Sequence, residues 1–272
     1  MQNDSFGAGS FRPLALKMIV CDLDRTLLRT DKTFSSYTLD VLKKCRQSGI
    51  LLAFSTARPK TATQPFVDIV RPDVSISDSG ALAKMGDDVI YRAALPKAAV
   101  AEILQILQGD SQVGYITAST DDGLLVNYHV DPDDEGWVDW KPIHADFSTI
   151  ADYDLFKISA EIFDARVLDD LAALPGITYI PYSGENWGTI TNAGITKWQT
   201  IQKVAAHLNI DTEHIVAFGD DFGDVEMLKN CGIGVAVANA IPEVKAVADF
   251  VCESNDEDGV ARWLEENLWP SK

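Results

Sequence analysis

Long apolar runs are missing from the 272-residue chain: no window approaches the roughly 20 apolar residues of a membrane-spanning helix, which excludes a helical membrane protein. Positive charge is scarce as well. With 23 Lys and Arg against 41 Asp and Glu, the net charge is -18 at pH 7, and so acidic a surface is not built to grip phosphate backbones. A nucleic-acid partner is therefore not expected. Cysteine is limited to Cys21, Cys45, Cys231 and Cys252, without CxxC or paired spacing, and a chain of this size needs no disulfide staples. The four thiols are expected to be reduced and mostly buried. Residues 1–14 show neither a basic start followed by an apolar stretch nor a cleavage-like site, so they are expected to form a flexible tail on a cytoplasmic protein. There is no internal repeat and no low-complexity block.

What is present is a hydrophobic fraction of 46%, enough to build real cores. Residues 16–21 form a short apolar run that stops at Asp22. Helical spacing follows at Leu39, Leu42 and Cys45, closed by Gly49, and then a second apolar run at 50–54. This strand, helix, strand rhythm marks a parallel α/β unit. It returns near the C-terminus in a helix over 197–208, strands at 215–218 and 234–237, and a helix starting at Pro242. The middle differs, with hairpin-like pieces at 113–117 and 124–129, a strand at 155–162 and a helix at 165–174. The pattern predicts a discontinuous α/β core, residues 15–82 and 191–272, interrupted by an α+β cap, residues 83–190. An acidic loop at 131–140, carrying Trp137 and Trp140, either lines a cleft or covers an edge.

Asp22 and Asp24 stand two apart where an apolar strand ends, so the period-2 alternation points both carboxylates to one side, at the strand end where open α/β sheets bind ligands. Such a pair suits a nucleophile and a general acid/base, although two acids also simply end a strand in a turn. Asp220, Asp221 and Asp224 follow a second buried strand and Gly219. Helix capping explains one Asp there more easily than three, and the group is well placed for a hard cation such as Mg2+. Thr56, in Ser55-Thr56-Ala57-Arg58, offers a hydroxyl after the strand at 50–54, as a phosphate cradle or an ordinary cap would. Thr196 and Gln199 fit a capping box that puts Lys197 in the first helical turn, where a cation opposes the helix dipole. Unless it is freely solvated, Lys197 answers to an anion, such as a phosphate and the Asp22 carboxylate.

In order along the chain, Asp22-Leu23-Asp24-Arg25-Thr26, Thr56, Lys197 and Gly219-Asp220-Asp221-Phe222-Gly223-Asp224 resemble the four motifs of the haloacid dehalogenase (HAD) superfamily. The long insertion, with Gly80-Ala81-Leu82 before it and Asn239-Ala240 and Val244-Lys245 after it, is similar to that of the Cof-type (subfamily IIB) phosphatases. The resemblance implies a Rossmann-like core with an inserted C2B-type cap, and a phosphatase acting on a small phosphorylated metabolite such as a sugar phosphate or phosphorylated cofactor. It further implies that Asp22 attacks phosphorus, that Asp24 protonates the leaving oxygen and then activates water, and that Thr56 and Lys197 hold the phosphoryl oxygens. Arg58 and Asn239 join them as candidate phosphate contacts. Mg2+ would sit on Asp22, the backbone carbonyl of Asp24 and Asp220, assisted by Asp221 or Asp224. Three positions depart from the pattern: Arg25 and Ser79 stand where Gly and Asn are usual, and Gly223 also replaces an Asn. Two other readings use the same core: a phosphomutase, and a sensor that binds without turnover.

Overall fold

Four apolar residues, Met18–Cys21 (β1), are buried on both faces, as a central strand of a parallel sheet must be. A computed structural model describes residues 16–130 and 140–269. The expected tail and all of the acidic loop except Trp140 lie outside the described residues. After β1 the chain forms α1 (Ser36–Gln47), β2 (Leu51–Ser55), α2 (Lys60–Val70) and β3 (Val74–Ser77), then a hairpin of β4 (Leu82–Met85) and β5 (Asp88–Arg92). The insertion follows as α3 (Lys97–Gly109), β6 (Val113–Ser119), β7 (Leu124–Val126), β8 (Ile143–His144), β9 (Lys157–Ile162), α4 (Ala165–Ala172), β10 (Ile177–Pro181) and β11 (Trp187–Asn192). The chain then returns through α5 (Lys197–His207), β12 (Ile215–Gly219), α6 (Val225–Asn230), β13 (Ile233–Val237), α7 (Pro242–Val247), β14 (Phe250–Cys252) and α8 (Gly259–Leu268).

The core sheet has the order β14-β13-β12-β1-β2-β3-β4-β5. Its strands run parallel as far as β3, and the β4–β5 hairpin adds antiparallel at one edge. Helices pack on it around one hydrophobic cluster, in which Phe218 meets Trp263 edge-on at 5.4 Å. The second sheet has the order β10-β11-β9-β6-β7-β8 and is antiparallel except for the β7–β8 pair. One of its faces is covered by α3 and α4, with Ile116, Ile158, Ile190 and Leu171 in a separate core. The expected α/β core with an inserted α+β cap is therefore the architecture found.

The boundary differs from the expected one. Because β4 and β5 hydrogen-bond to β3, the core sheet continues to Arg92, past the expected limit at residue 82. On the return, β11 stays in the second sheet as far as Asn192. The two crossing segments are tied where they meet: the Asn192 side-chain amide donates to the Ala94 carbonyl at 2.9 Å. Phe156 of the cap is buried with Ala81, Leu82 and Ile195 in a small apolar cluster at the same junction. No helix among the described residues is long and apolar enough to cross a membrane.

Candidate active site

β1 and β12 lie side by side, Cys21 opposite Phe218, so Asp22 and Asp220 leave the sheet at adjacent carboxyl ends. The Asp22 amide donates to the Phe218 carbonyl at 3.0 Å, which fixes the start of the loop. Gly219 is required at the corresponding end of β12, since a Cβ there would stand 2.4 Å from the Asp224 Cβ. Asp224 folds back over this turn and accepts from the Asp220 and Asp221 amides at 2.9 and 3.2 Å. Carboxylate oxygens of Asp22, Asp220 and Asp224 lie within 4.8 Å of one another, all three residues buried.

Lys197, the first residue of α5, reaches this cluster from the far side of the insertion. Its Nζ donates to Asp22 Oδ1 and to Asp224 Oδ1, each at 2.6 Å, and only 6% of the side chain is exposed. Of the expected capping box only the Thr196 half forms, with its hydroxyl accepting from the Gln199 amide. Burial works against the Lys197 charge, but Asp22 and Asp224 hold the ammonium protonated well above the ordinary lysine range. Asp22 is pushed up by burial, against the pull of Lys197 and with the repulsion of Asp224 and Asp220 added. Asp220 is pushed up to about 7 by burial and by Asp224, against a hydrogen bond from the Thr26 hydroxyl at 2.8 Å. Three buried acids facing one ammonium hold their surplus charge only as protons or against a divalent cation, and an all-oxygen set suits a hard one. The donor set therefore fits a metal such as Mg2+.

Asp24 is placed apart from that cluster. Arg58 grips it in a fork, Nε to Oδ2 at 2.6 Å and Nη2 to Oδ1 at 2.8 Å, and Lys32 Nζ adds a third bond at 2.8 Å. Although burial works to raise it, these cations hold the Asp24 carboxyl below its usual range. Asp221 is also outside the three-acid group: one oxygen accepts from the Phe222 amide at 2.8 Å and the other from the Ser183 amide at 3.1 Å. It thus joins the core to the β10–β11 turn of the cap. Thr56 lines the cavity and its hydroxyl accepts from the Arg58 amide at 3.1 Å. Asn239 does not point into the site, since its amide donates to the Arg25 carbonyl at 2.7 Å and accepts from the Asn255 amide at 3.0 Å. It clamps two loops.

The three clustered acids, Lys197, Asp24, Arg58, Lys32, Asp221 and Thr56 line a cavity of about 320 Å³ between core and cap. Trp140, Ile180, Tyr182, Ser183, Glu185 and Thr189 supply the cap side, whereas Trp187 of β11 does not line it. Arg25 also lines the cavity and holds a left-handed backbone (φ 60°, ψ 8°), a conformation that costs a non-glycine residue about 1–2 kcal/mol. A second left-handed stretch, Asp78, Ser79 and Gly80 at φ 55°, 58° and 103°, connects β3 to the hairpin. Gly80 passes so close to α5 that a Cβ would meet the Thr196 carbonyl oxygen at 2.5 Å, and its own carbonyl accepts from the Thr200 hydroxyl at 2.6 Å. Asp78 is fully buried and accepts from the Ser119 hydroxyl of the cap. Lys32, Asp78, Ser183 and Glu185 carry no motif spacing, so sequence reading did not select them.

The family model of the haloacid dehalogenase-like hydrolases matches residues 19–264, and the chain belongs to that family. Two Bacillus subtilis proteins are similar along nearly their whole length. YitU, a 5-amino-6-(5-phospho-D-ribitylamino)uracil phosphatase, is 28% identical over 92% of this chain and 96% of its own. YwtE, of the same description, is 26% identical over 93% and 98%. Among solved structures, the HAD subclass IIB sugar phosphatase BT4131 shares the fold with a TM-score of 0.82 at 24% identity, covering 92% of this chain and 98% of its own. A haloacid dehalogenase-like hydrolase from Bacteroides thetaiotaomicron gives 0.79 at 25% identity, with 92% and 98% covered. Within the family, the chain is a Cof-type phosphatase, an enzyme acting on phosphorylated small molecules.

Proposed function

We propose that this phosphatase is Mg2+-dependent and hydrolyses small phosphate monoesters through an aspartyl-phosphate formed on Asp22. The observation that carries the reading is the buried Asp22, Asp220 and Asp224 group with Lys197 bridging two of them. Asp22, Asp220 and Asp224 would hold Mg2+, which when bound neutralises charge on the phosphoryl oxygens. Lys197 then offers a fixed cation, and Thr56 a hydroxyl, to the phosphoryl group.

Asp22 Oδ attacks phosphorus while the bond to the leaving oxygen breaks, and Asp24 delivers a proton to that oxygen. Water then attacks the acyl phosphate, Asp24 takes its proton, and inorganic phosphate leaves with the bond to Asp22 broken. In the structure Asp24 is the carboxylate paired with Arg58 and Lys32, the form needed for the second step. A phosphate dianion entering the cavity competes for those two cations and releases Asp24 to carry the proton of the first.

The substrate class, a sugar phosphate or a phosphorylated cofactor, follows the relatives, which are named for a ribityl phosphate on a uracil and for sugar phosphates. Trp140 and Tyr182 supply aromatic faces for such a leaving group. Buried free thiols at Cys21, Cys45 and Cys231 suit a reducing compartment, in keeping with a cytoplasmic enzyme. The test is phosphate release from p-nitrophenyl phosphate and a panel of sugar phosphates, with Mg2+ and then with EDTA. Release is expected with Mg2+ alone, reduced at least about a thousandfold in Asp22→Asn, and an Asp24→Asn enzyme quenched in acid should carry phosphate on the peptide containing Asp22. Turnover that survives EDTA, or an Asp22→Asn enzyme as active as the wild type, would sink the reading.

A further inference from the structure

We propose that Arg25 is a specificity-determining residue that reads a second anionic group, borne by the leaving group of the phosphate ester. The proposal rests on reading the cavity as a phosphatase site, and it concerns the part of the substrate that is not transferred.

Among the described residues four cations line the cavity: Arg25, Lys32, Arg58 and Lys197. Three are already engaged, Lys197 by Asp22 and Asp224, and Arg58 and Lys32 by Asp24. The Arg25 side chain has no ion pair and no hydrogen bond to any group among the described residues, and it is exposed. Among the described residues the cap side brings no cation to the cavity, because its charged member there is Glu185. An anion on the leaving group therefore finds its partner on the core rim, at Arg25.

The backbone gives a second, independent argument. Residue 25 sits in a left-handed turn, clamped by the Asn239 amide on its carbonyl, where glycine is at ease and a residue bearing a Cβ is strained. Strain kept at the rim of a site, in a side chain that packs against nothing charged, points to use by a ligand. A guanidinium offers a forked, permanently charged partner to a carboxylate or a phosphate alike.

The experiment compares kcat/KM for two matched pairs: 6-phosphogluconate against sorbitol 6-phosphate for a carboxylate, and glucose 1,6-bisphosphate against glucose 6-phosphate for a second phosphate. The wild type is expected to prefer the anionic member of at least one pair. Arg25→Gly should cut that preference about tenfold without lowering the melting temperature, Arg25→Lys should retain part of it, and raised salt should weaken it in the wild type. The pair that responds identifies the anion. A preference unchanged in Arg25→Gly, or an equal loss on all four esters together with a lower melting temperature, would overturn the proposal. Failure of the wild type to release phosphate from any of the four or from p-nitrophenyl phosphate would instead bring down the phosphatase reading, and this proposal with it.

Discussion

The two sheets of the molecule use their strands in opposite ways. In the core sheet β1, β12 and β13 are buried at every position, so their side chains are committed to packing and chemistry is confined to the carboxyl ends. In the cap sheet the strands alternate. Ile158 and Ala160 of β9 face the helices, while Lys157 and Ser159 face the other way, buried but polar. The register continues this polar face across three strands, with Thr117 opposite Ser159 and Ser159 opposite Thr189. Thr189 reaches the cavity, and Lys157 donates to the Ala57 carbonyl of the core at 2.5 Å. A sheet buried on both faces can host a reaction at its rim, whereas a sheet with one polar face can present a surface to substrate. The acid cluster thus lies at the rim of one sheet, and the polar face of the other meets the same cavity.

That division is most severely tested at Lys197. Lys197→Ala should lower kcat by about two to three orders of magnitude on every ester and destabilise the protein by about 3–5 kcal/mol, because it strands Asp22 and Asp224 without their cation. A kinetically silent variant would show that the core cluster is not where chemistry occurs. Next is the acid cluster without metal. Asp220 has a folded pKa of about 7, above its unfolded value, so the folded state binds the extra proton and stability falls as pH rises from about 4 through 7. Melting curves of metal-free protein should therefore show lower stability at pH 8 than at pH 5, and Mg2+ should recover the difference at pH 8. A flat profile would mean that the acids do not share charge as described.

Gly80→Ala probes the seam between the sheets. A Cβ placed 2.5 Å from the Thr196 carbonyl at φ 103° should cost about 2 kcal/mol and lower kcat by displacing the start of α5, with KM changed less. Loss of stability with unaltered kcat would show that α5 absorbs the strain without moving Lys197. The smallest effect is expected on the cap. Tyr182→Ala should alter KM by several-fold, and by different factors for different sugar phosphates, through lost contact area. If it lowered kcat uniformly on all of them, the cap would be part of the chemistry and the comparison would fail.

Much of this was legible in the sequence where burial and function coincide. The runs ending at Asp22 and Gly219 are strands because nothing else buries them on both faces, and the acids after them fall at the sheet edge by necessity. The β4–β5 hairpin was not legible as part of the core. Residues 82–92, with Lys84, Asp87, Asp88 and Arg92 around Gly86, have the polar character of any edge hairpin, and sequence alone does not say which sheet an edge joins. The role of Arg58 was half visible: it is at the site, but pinned on Asp24. Asp221 reads as one more acid of the motif, and only the approach of the β10–β11 turn shows it holding the Ser183 amide. Asp78 looks like an ordinary turn residue, because its burial depends on Ser119, distant in sequence. Long-range partners of this kind leave no local periodicity.

The amide of Asn192 on the carbonyl of Ala94 joins the two places where the chain crosses between the sheets. The cap is therefore a cassette whose two ends are fastened at a single point, and its interior can be rewritten without threading new connections through the core. The returning end leads directly into Thr196 and Lys197, so a transplanted cap has to respect, besides that fastening, the contacts with Asp78, Ala57 and Asp221 and the path past Gly80 that sets where the lysine emerges. Changes to the cap lining can in this way reshape the cavity on one side of the joint while the acid cluster on the other is inherited unchanged.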